Sequence, residues 1–329
     1  MSGEIAGADW PTFGWADDVR PALAKALDAG SPCALGTLYK VEGSAPRGPG
    51  AQMLFTRDET GAIEATGYFS GDCIEGDVAG HAATVLDDGI PKRLHYGMGS
   101  PWIDIRLRCG GALHVLLERL TPDCEAAQSL LRHARERRPC LWRSDGTTRS
   151  VESGSGPRLA LDEEPFALIR RCDPPRRVIV SGGDPGALAV AHLASLSRFE
   201  THLVLPDGPQ APPPFPLASY LRVMPEEAVR TLGVDPWTAY IGATHEDHLD
   251  LGGCLGALRG GAAYVGMIGA KSRSANRKAA LSHAGASDAE LAALRFSPGM
   301  TGLGKSPWEV ATGIVAEIMH ELNPAGERA

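Results

Sequence analysis

Two cysteines stand beside glycine at apparent turns: Cys73 in Gly71-Asp72-Cys73-Ile74-Glu75-Gly76 and Cys109 in Arg108-Cys109-Gly110-Gly111. A thiol placed there can meet a ligand that touches the chain itself, because glycine puts no side chain in the way. Asp72 precedes Glu75 by three residues, the spacing of a capping box, and Ile74, Val78, Ala82 and Val85 follow at helical intervals. This pattern predicts a helix with Cys73 at its first position, where the positive end of the helix dipole lowers a thiol pKa. The competing assignment is that both thiols are small buried hydrophobes, the commonest fate of a free cysteine.

A second glycine turn, Gly182-Gly183-Asp184-Pro185-Gly186, follows the apolar run Val178-Ile179-Val180, which is the setting of a dinucleotide fingerprint. The match fails in detail. Read from Gly182, Asp184 falls where the second glycine would let backbone approach a pyrophosphate, and a carboxylate there repels phosphate. The next strand ends at apolar Leu205, with Asp207 two residues beyond the usual ribose-binding position. These departures favour a Rossmann-like scaffold with an altered nucleotide site over an NAD(P)-dependent oxidoreductase. Thr244-His245-Glu246-Asp247-His248 suggests metal ligands, but Asp247 replaces the second histidine of an HxHxDH pattern and Leu249 its aspartate. No metal site is expected on that spacing. Gly269-Ala270-Lys271-Ser272-Arg273 offers an anion backbone donors, a helix start and two cations, the alternative being a solvated loop.

The chain has 329 residues, 43% of them apolar and 22% charged, which suits a soluble globular protein of two domains. No apolar run reaches the length of a membrane span, and residues 1–12 lack the basic-then-apolar pattern of a signal peptide. Seven cysteines, an odd count without a CxxC pair, fit reduced thiols in the cytoplasm. A formal net charge of -8 argues against nucleic-acid binding, and the basic stretch from Arg132 to Arg138 reads as a solvated helix end.

The elements that must position these residues follow from periodicity. The first unit opens with a helix over 19–27 closed by Gly30, then a strand over 34–41 and the loop 42–50. A hairpin over 52–56 and 62–69, the Cys73 helix and a buried strand over 112–117 complete a small α+β domain. Its glycine loops are expected to converge on one pocket near the domain junction. From 121 to 175 the signals weaken to a helix over 125–135, a hairpin turning at Ser144-Asp145-Gly146, and loop or linker at 154–157 and 173–175. The boundary is placed near Pro175, giving domains 1–175 and 176–329. The second unit alternates strands (178–181, 202–205, 221–223, 239–242, 263–268) with helices, the signature of a Rossmann-like, doubly wound parallel sheet. Two of its helices open at capping boxes, Ser287 with Glu290 and Ser306 with Glu309, the latter with Pro307 at the first helical position.

Taken in order, the motifs resemble those of the xanthine dehydrogenase accessory protein family, of the XdhC/CoxI type. The first half contributes Val41-Glu42-Gly43-Ser44-Ala45-Pro46-Arg47 with Gly50-Ala51-Gln52-Met53, Ser70-Gly71-Asp72-Cys73-Ile74-Glu75, and Cys109-Gly110-Gly111. The second contributes the glycine turn, Thr244-His245, Tyr264-Val265-Gly266-Met267-Ile268-Gly269, and Ser306-Pro307-Trp308-Glu309-Val310-Ala311 with Ala316-Glu317-Ile318. The resemblance implies a maturation role rather than a metabolic reaction: binding molybdenum cofactor, protecting it while its terminal sulfido ligand is installed, and delivering it to a molybdenum hydroxylase. It implies as partners the apo molybdenum hydroxylase and a cysteine desulfurase, with a homodimer expected and no membrane association.

The cofactor-binding residues so implied are Ser44, Arg47, Gly71, Cys73, Glu75, Cys109, Gly110 and Gly111, with Gly182, Gly183, Gly186, His245, Lys271 and Arg273 in the second domain. No catalytic residue is implied. Asp72 stands where the family usually has a second glycine before the cysteine, Asp184 and Leu205 depart as described, and the loop 298–304 is irregular, so a divergent member is expected. The rivals are an NAD(P)-dependent oxidoreductase and an interaction subunit that binds no ligand.

Overall fold

The computed structural model describes residues 16–97, 99–100, 107, 110–244 and 246–323. It divides between Pro174 and Pro175 into two units. In the first, α1 (Arg20–Asp28) leads to β1 (Cys33–Glu42), β2 (Gln52–Arg57), β3 (Ile63–Gly67), α2 (Glu75–Asp88), β4 (Lys92–Tyr96) and β5 (Ala112–Leu120). The five strands make one antiparallel sheet in the order β3-β2-β1-β5-β4. Alternation along each strand sorts side chains between two cores. Leu113, Val115 and Leu117 of β5 meet Val78, Ala82 and Val85 of α2 on one face. Leu116 and Leu120 turn to the other, where α1 lies.

The stretch after β5, weak in sequence signal, supplies the cover for that second face. It holds α3 (Glu125–Arg135) and four short strands, β6 (Cys140–Ser144), β7 (Arg149–Ser153), β8 (Leu159–Glu163) and β9 (Phe166–Cys172). They form a sheet in the order β7-β6-β9-β8, whose Trp142 and Leu168 enter the same core as Leu116. Residues 154–157, read as loop, join β7 to β8. Glu118 ties the two sheets together from a fully buried position: its Oε2 accepts from Ser144 Oγ at 2.7 Å and pairs with Arg149.

Strand directions gather the first unit's glycine loops. β1, β3 and β4 run one way while β2 and β5 run the other, so the connections β1–β2, β3–α2 and β4–β5 all leave the same edge of the sheet. That edge carries the turns singled out by sequence.

The second unit runs β10 (Arg177–Ser181), α4 (Pro185–Leu196), β11 (Glu200–Val204), β12 (Ser219–Leu221), α5 (Pro225–Leu232), β13 (Thr238–Gly242), α6 (Asp247–Arg259) and β14 (Tyr264–Met267). It ends with α7 (Ser274–His283), α8 (Asp288–Ala293), β15 (Arg295–Phe296) and α9 (Pro307–Leu322). All strand pairs are parallel, in the order β12-β11-β10-β13-β14-β15. One core lies between the sheet and α4 with α9, the other between the sheet and α5 through α8. This is the doubly wound sheet expected, its chain reversing direction between β10 and β13, where such folds form a ligand crevice. Both capping boxes form, Ser287 with Glu290 and Ser306 with Glu309. The third strand falls at 219–221, two residues before its expected place. Among the described residues no helix is long and apolar enough to cross a membrane.

Candidate functional site

At the shared edge of the first sheet the backbones press together. A Cβ on Gly111 would lie 2.5 Å from the Ser44 carbonyl oxygen and 2.8 Å from that of Glu42; one on Gly97 would meet the Gly111 carbonyl oxygen at 2.2 Å. Glycine at 97 and 111 is therefore a packing requirement where β4, β5 and β1 end side by side. Gly71 and Gly110 differ. Both hold positive φ, 76° and 70°, and an added Cβ would meet nothing within 4 Å. Their backbones face open space that a ligand can approach. Ser44 is exposed, its carbonyl against Gly111, the neighbour of Gly110 in sequence.

The Cys73 loop is organised from inside, and not by the capping box that its spacing predicts. The helix begins at Glu75, so Cys73 stands two residues before its first turn. Asp72 supplies half of the box: its amide donates to Glu75 Oε2 at 2.8 Å. Its own side chain caps nothing, because Asp72 takes a φ of 99° and turns away. Ser70 does that work, its Oγ accepting from the amides of Cys73 at 2.9 Å and Ile74 at 3.2 Å. Glu75 is fully buried and gathers the loop, accepting from the amides of Phe69 (2.9 Å), Ser70 (2.6 Å), Gly71 (3.0 Å) and Ile74 (3.2 Å) and from Ser70 Oγ (2.5 Å). Burial pushes its carboxyl up, but these hydrogen bonds outweigh it and hold the group below the usual glutamate range. The result is a rigid loop that leaves Cys73 half-buried, its side chain against the core while Gly71 and Asp72 are exposed.

Arg47 is brought to this loop by an aromatic ring. Its guanidinium lies over Tyr68, 4.7 Å from the ring centroid, and pairs with Asp17. Asp17 is largely exposed, so an anionic ligand can take over this pairing at little cost. Next along the edge, His95 and His114 face each other across β4 and β5 with their rings stacked 4.3 Å apart. Both Nε2 atoms are buried with no hydrogen bond among the described residues, although Glu42 Oε1 lies 3.4 Å from that of His114. Burial, with His95 and Lys40 nearby, lowers the His114 pKa, so its ring is held neutral. Beneath α2, the Tyr96 hydroxyl donates to Asp77 at 2.6 Å, and His81 stands 3.4 Å from the same carboxylate.

In the second unit the singled-out residues follow β10, β13 and β14, at the crevice end of the sheet. Gly182 is needed there, since a Cβ would reach the Ala243 carbonyl oxygen at 2.3 Å. Gly183 lies under Leu205, whose Cδ2 would be 2.6 Å from its Cβ. Asp184 caps α4 itself, accepting from the Ala187 amide at 2.7 Å. A carboxylate thus fills the helix start that a pyrophosphate would use. Gly186 meets only Asp184. Lys271 is exposed, whereas Arg273 donates to Asp247 at 3.0 Å, and Arg277 donates to that same oxygen at 3.0 Å. Asp247 is therefore engaged by two guanidiniums. Among the described residues no three His, Cys, Asp or Glu side chains are placed to hold a metal ion.

Cys109 and His245 lie outside the described residues. The structure brings Ser44, Arg47, Gly71, Cys73, Glu75, Gly110 and Gly111 to one sheet edge; Gly182, Gly183, Gly186, Lys271 and Arg273 form a separate set in the second unit. Sequence reading missed Tyr68, Asp17 and the histidine pair. Tyr68 stands two residues before the cysteine motif and was open to notice, but His95 and His114 meet through strand register, which spacing does not reveal.

Two family models match this chain: the XdhC and CoxI family over residues 26–97 and the XdhC Rossmann domain over residues 178–318. It is 26% identical over 310 residues to the molybdenum cofactor insertion chaperone PaoD of Escherichia coli, covering 92% of this chain and 88% of that protein. It is 27% identical over 323 residues to a Bacillus subtilis protein named as a probable xanthine dehydrogenase subunit, covering 87% of this chain and 92% of that one. A solved structure named as a xanthine dehydrogenase from Bacillus halodurans shares the fold, with a TM-score of 0.71 at 22% identity over 94% of this chain and 97% of that one.

Proposed function

The chain belongs to the XdhC and CoxI family, and from that premise we propose that it is a molybdenum cofactor chaperone. It binds the cofactor as cargo at the glycine-loop edge of the first unit. It shields the cargo while a cysteine desulfurase supplies sulfur for the terminal sulfido ligand, then passes it to an apo molybdenum hydroxylase. The name of the Escherichia coli relative supports the cargo.

The observation that carries the reading is the convergence of three loops on one edge around a half-buried thiol. A pterin that bears sulfur and phosphate needs a soft contact, a cation and close backbone approach. Cys73 supplies the first and Arg47, freed from Asp17, the second; the open faces of Gly71 and Gly110 supply the third. Cys109, next to Gly110 in sequence, is proposed as a second soft contact. Glu75 acts from behind, since its carboxylate consumes the loop amides and fixes their shape. In the second unit, Asp184 on the α4 start and Leu205 over Gly183 oppose a dinucleotide, which favours the chaperone over an NAD(P) oxidoreductase. The test is to purify the full chain from a host that makes the cofactor and assay bound molybdenum and pterin. Both should co-purify in near-equal amounts, and a chain free of both would overturn the reading.

A further inference from the structure

Behind the loop edge, Cys140 on β6 and Cys172 on β9 stand opposite each other in the antiparallel register, both buried. Directly opposed residues of such a pair have Cα atoms about 4.5–5.5 Å apart, within the range a disulfide spans. Both thiols are free. Cys172 is set apart by its neighbours. Arg170 Nη1 donates to its Sγ at 3.0 Å, closer than the Arg170 carbonyl oxygen at 3.7 Å to which a protonated sulfur would donate. Arg20 is the second cation, bound to Asp18 and near enough to interact with both sulfurs. A hydrogen bond from Cys140, then the two guanidiniums, outweigh burial and hold the Cys172 thiol below its ordinary pKa; Cys140 is pushed up.

We propose that Cys140 and Cys172 form a dithiol couple oxidised by a small hydroperoxide, with Arg170 linking its state to the loop edge. The Cys172 thiolate attacks one peroxide oxygen; an S–O bond forms, the O–O bond breaks, and hydroxide leaves to take up a proton as water. Cys140 sulfur then attacks the Cys172 sulfenic acid. The S–S bond forms, the S–O bond breaks, and the departing hydroxide takes the Cys140 proton as a second water. The dithiol has lost two electrons and the peroxide has gained them. Burial of both sulfurs limits the oxidant to one as small as hydrogen peroxide.

The link to the edge is geometric. Arg170 Nε also donates to the Gly50 carbonyl oxygen at 2.8 Å, and Gly50 closes the loop that carries Ser44 and Arg47. Oxidation removes the anion that holds Arg170, so its grip on Gly50 loosens. The consequence for cargo rests on the proposed function, but disulfide formation does not.

The experiment treats the reduced full chain with hydrogen peroxide, alkylates remaining thiols after denaturation, and maps peptides by mass. A Cys140–Cys172 disulfide should form before Cys33 or Cys254 is modified, and at about pH 5 Arg170→Met should slow it roughly threefold, a tenfold loss of thiolate partly offset by the greater nucleophilicity of a more basic sulfur. Cys140→Ser, a near-isosteric change, should stop at a sulfenic acid on Cys172 that a cyclic diketone traps. Thiols at 140 and 172 that stay alkylatable, or no trapped adduct, would overturn the couple. Amide exchange at 48–51 should rise several-fold on oxidation, and unchanged exchange with the disulfide formed would overturn the link.

Discussion

At the scale of single residues, the loop that presents Cys73 depends on a carboxylate caught between burial and hydrogen bonding. Glu75 accepts from five backbone amides and the Ser70 hydroxyl in a site closed to solvent. Because its folded pKa lies below the unfolded value of about 4.3, it contributes stability that is complete above that pH. The contribution drains away as pH falls through the folded value. Glu75→Gln turns an amide donor toward other donors, so it should cost about 2–3 kcal/mol at neutral pH. Urea denaturation of the two proteins from pH 7 downward checks this. The gap between them should narrow below about pH 4, and a constant gap would mean that Glu75 is not charged in the fold. Sequence found Cys73 and Glu75 but not that Glu75 gathers the whole loop, because spacing shows which residues can meet and not which one is buried. Arg47 was likewise legible as a cation, while the Tyr68 ring that positions it was not.

At the scale of elements, the joint between β3 and α2 carries the clearest departure from local preference. Asp72 holds a φ of 99°, in a region that residues with a Cβ rarely adopt. Glycine adopts such an angle freely, because it has no Cβ to clash. Asp72→Gly should relieve strain of about 1–2 kcal/mol while adding freedom to the unfolded chain worth about 0.4–1 kcal/mol. The expected balance is a gain of about 0.5 kcal/mol, read as a raised urea midpoint; a lowered midpoint would show that the aspartate side chain holds the joint. Elsewhere, the capping boxes at Ser287 and Ser306 were legible because their side chains do meet the amides that spacing assigns. The predicted box at Asp72 failed because one positive φ moved its side chain away.

At the scale of the whole chain, legibility followed burial. Strands β10 and β13 are buried along their whole length and carry unbroken apolar centres, Val178-Ile179-Val180 and Ala239-Tyr240-Ile241, so the parallel sheet declared itself. The sheet β7-β6-β9-β8 showed only its hairpin at Ser144-Asp145-Gly146: β7 and β8 are edge strands of five residues with much of their surface in solvent, and their alternation is blunted. Cross-strand partners, such as His95 with His114 or Cys140 with Cys172, stayed invisible because register joins residues far apart in sequence. The central claim is that the loop edge of the first unit holds molybdenum cofactor through Cys73. It is tested most directly by purifying Cys73→Ala beside the unaltered chain from one cofactor-producing host, and measuring bound pterin and the melting temperature on the same samples. The account predicts that the variant loses most of its pterin while its melting temperature shifts by no more than about 3 °C, roughly 1 kcal/mol for units of this size. A variant that keeps its pterin and melts lower would contradict it, leaving Cys73 a packing residue.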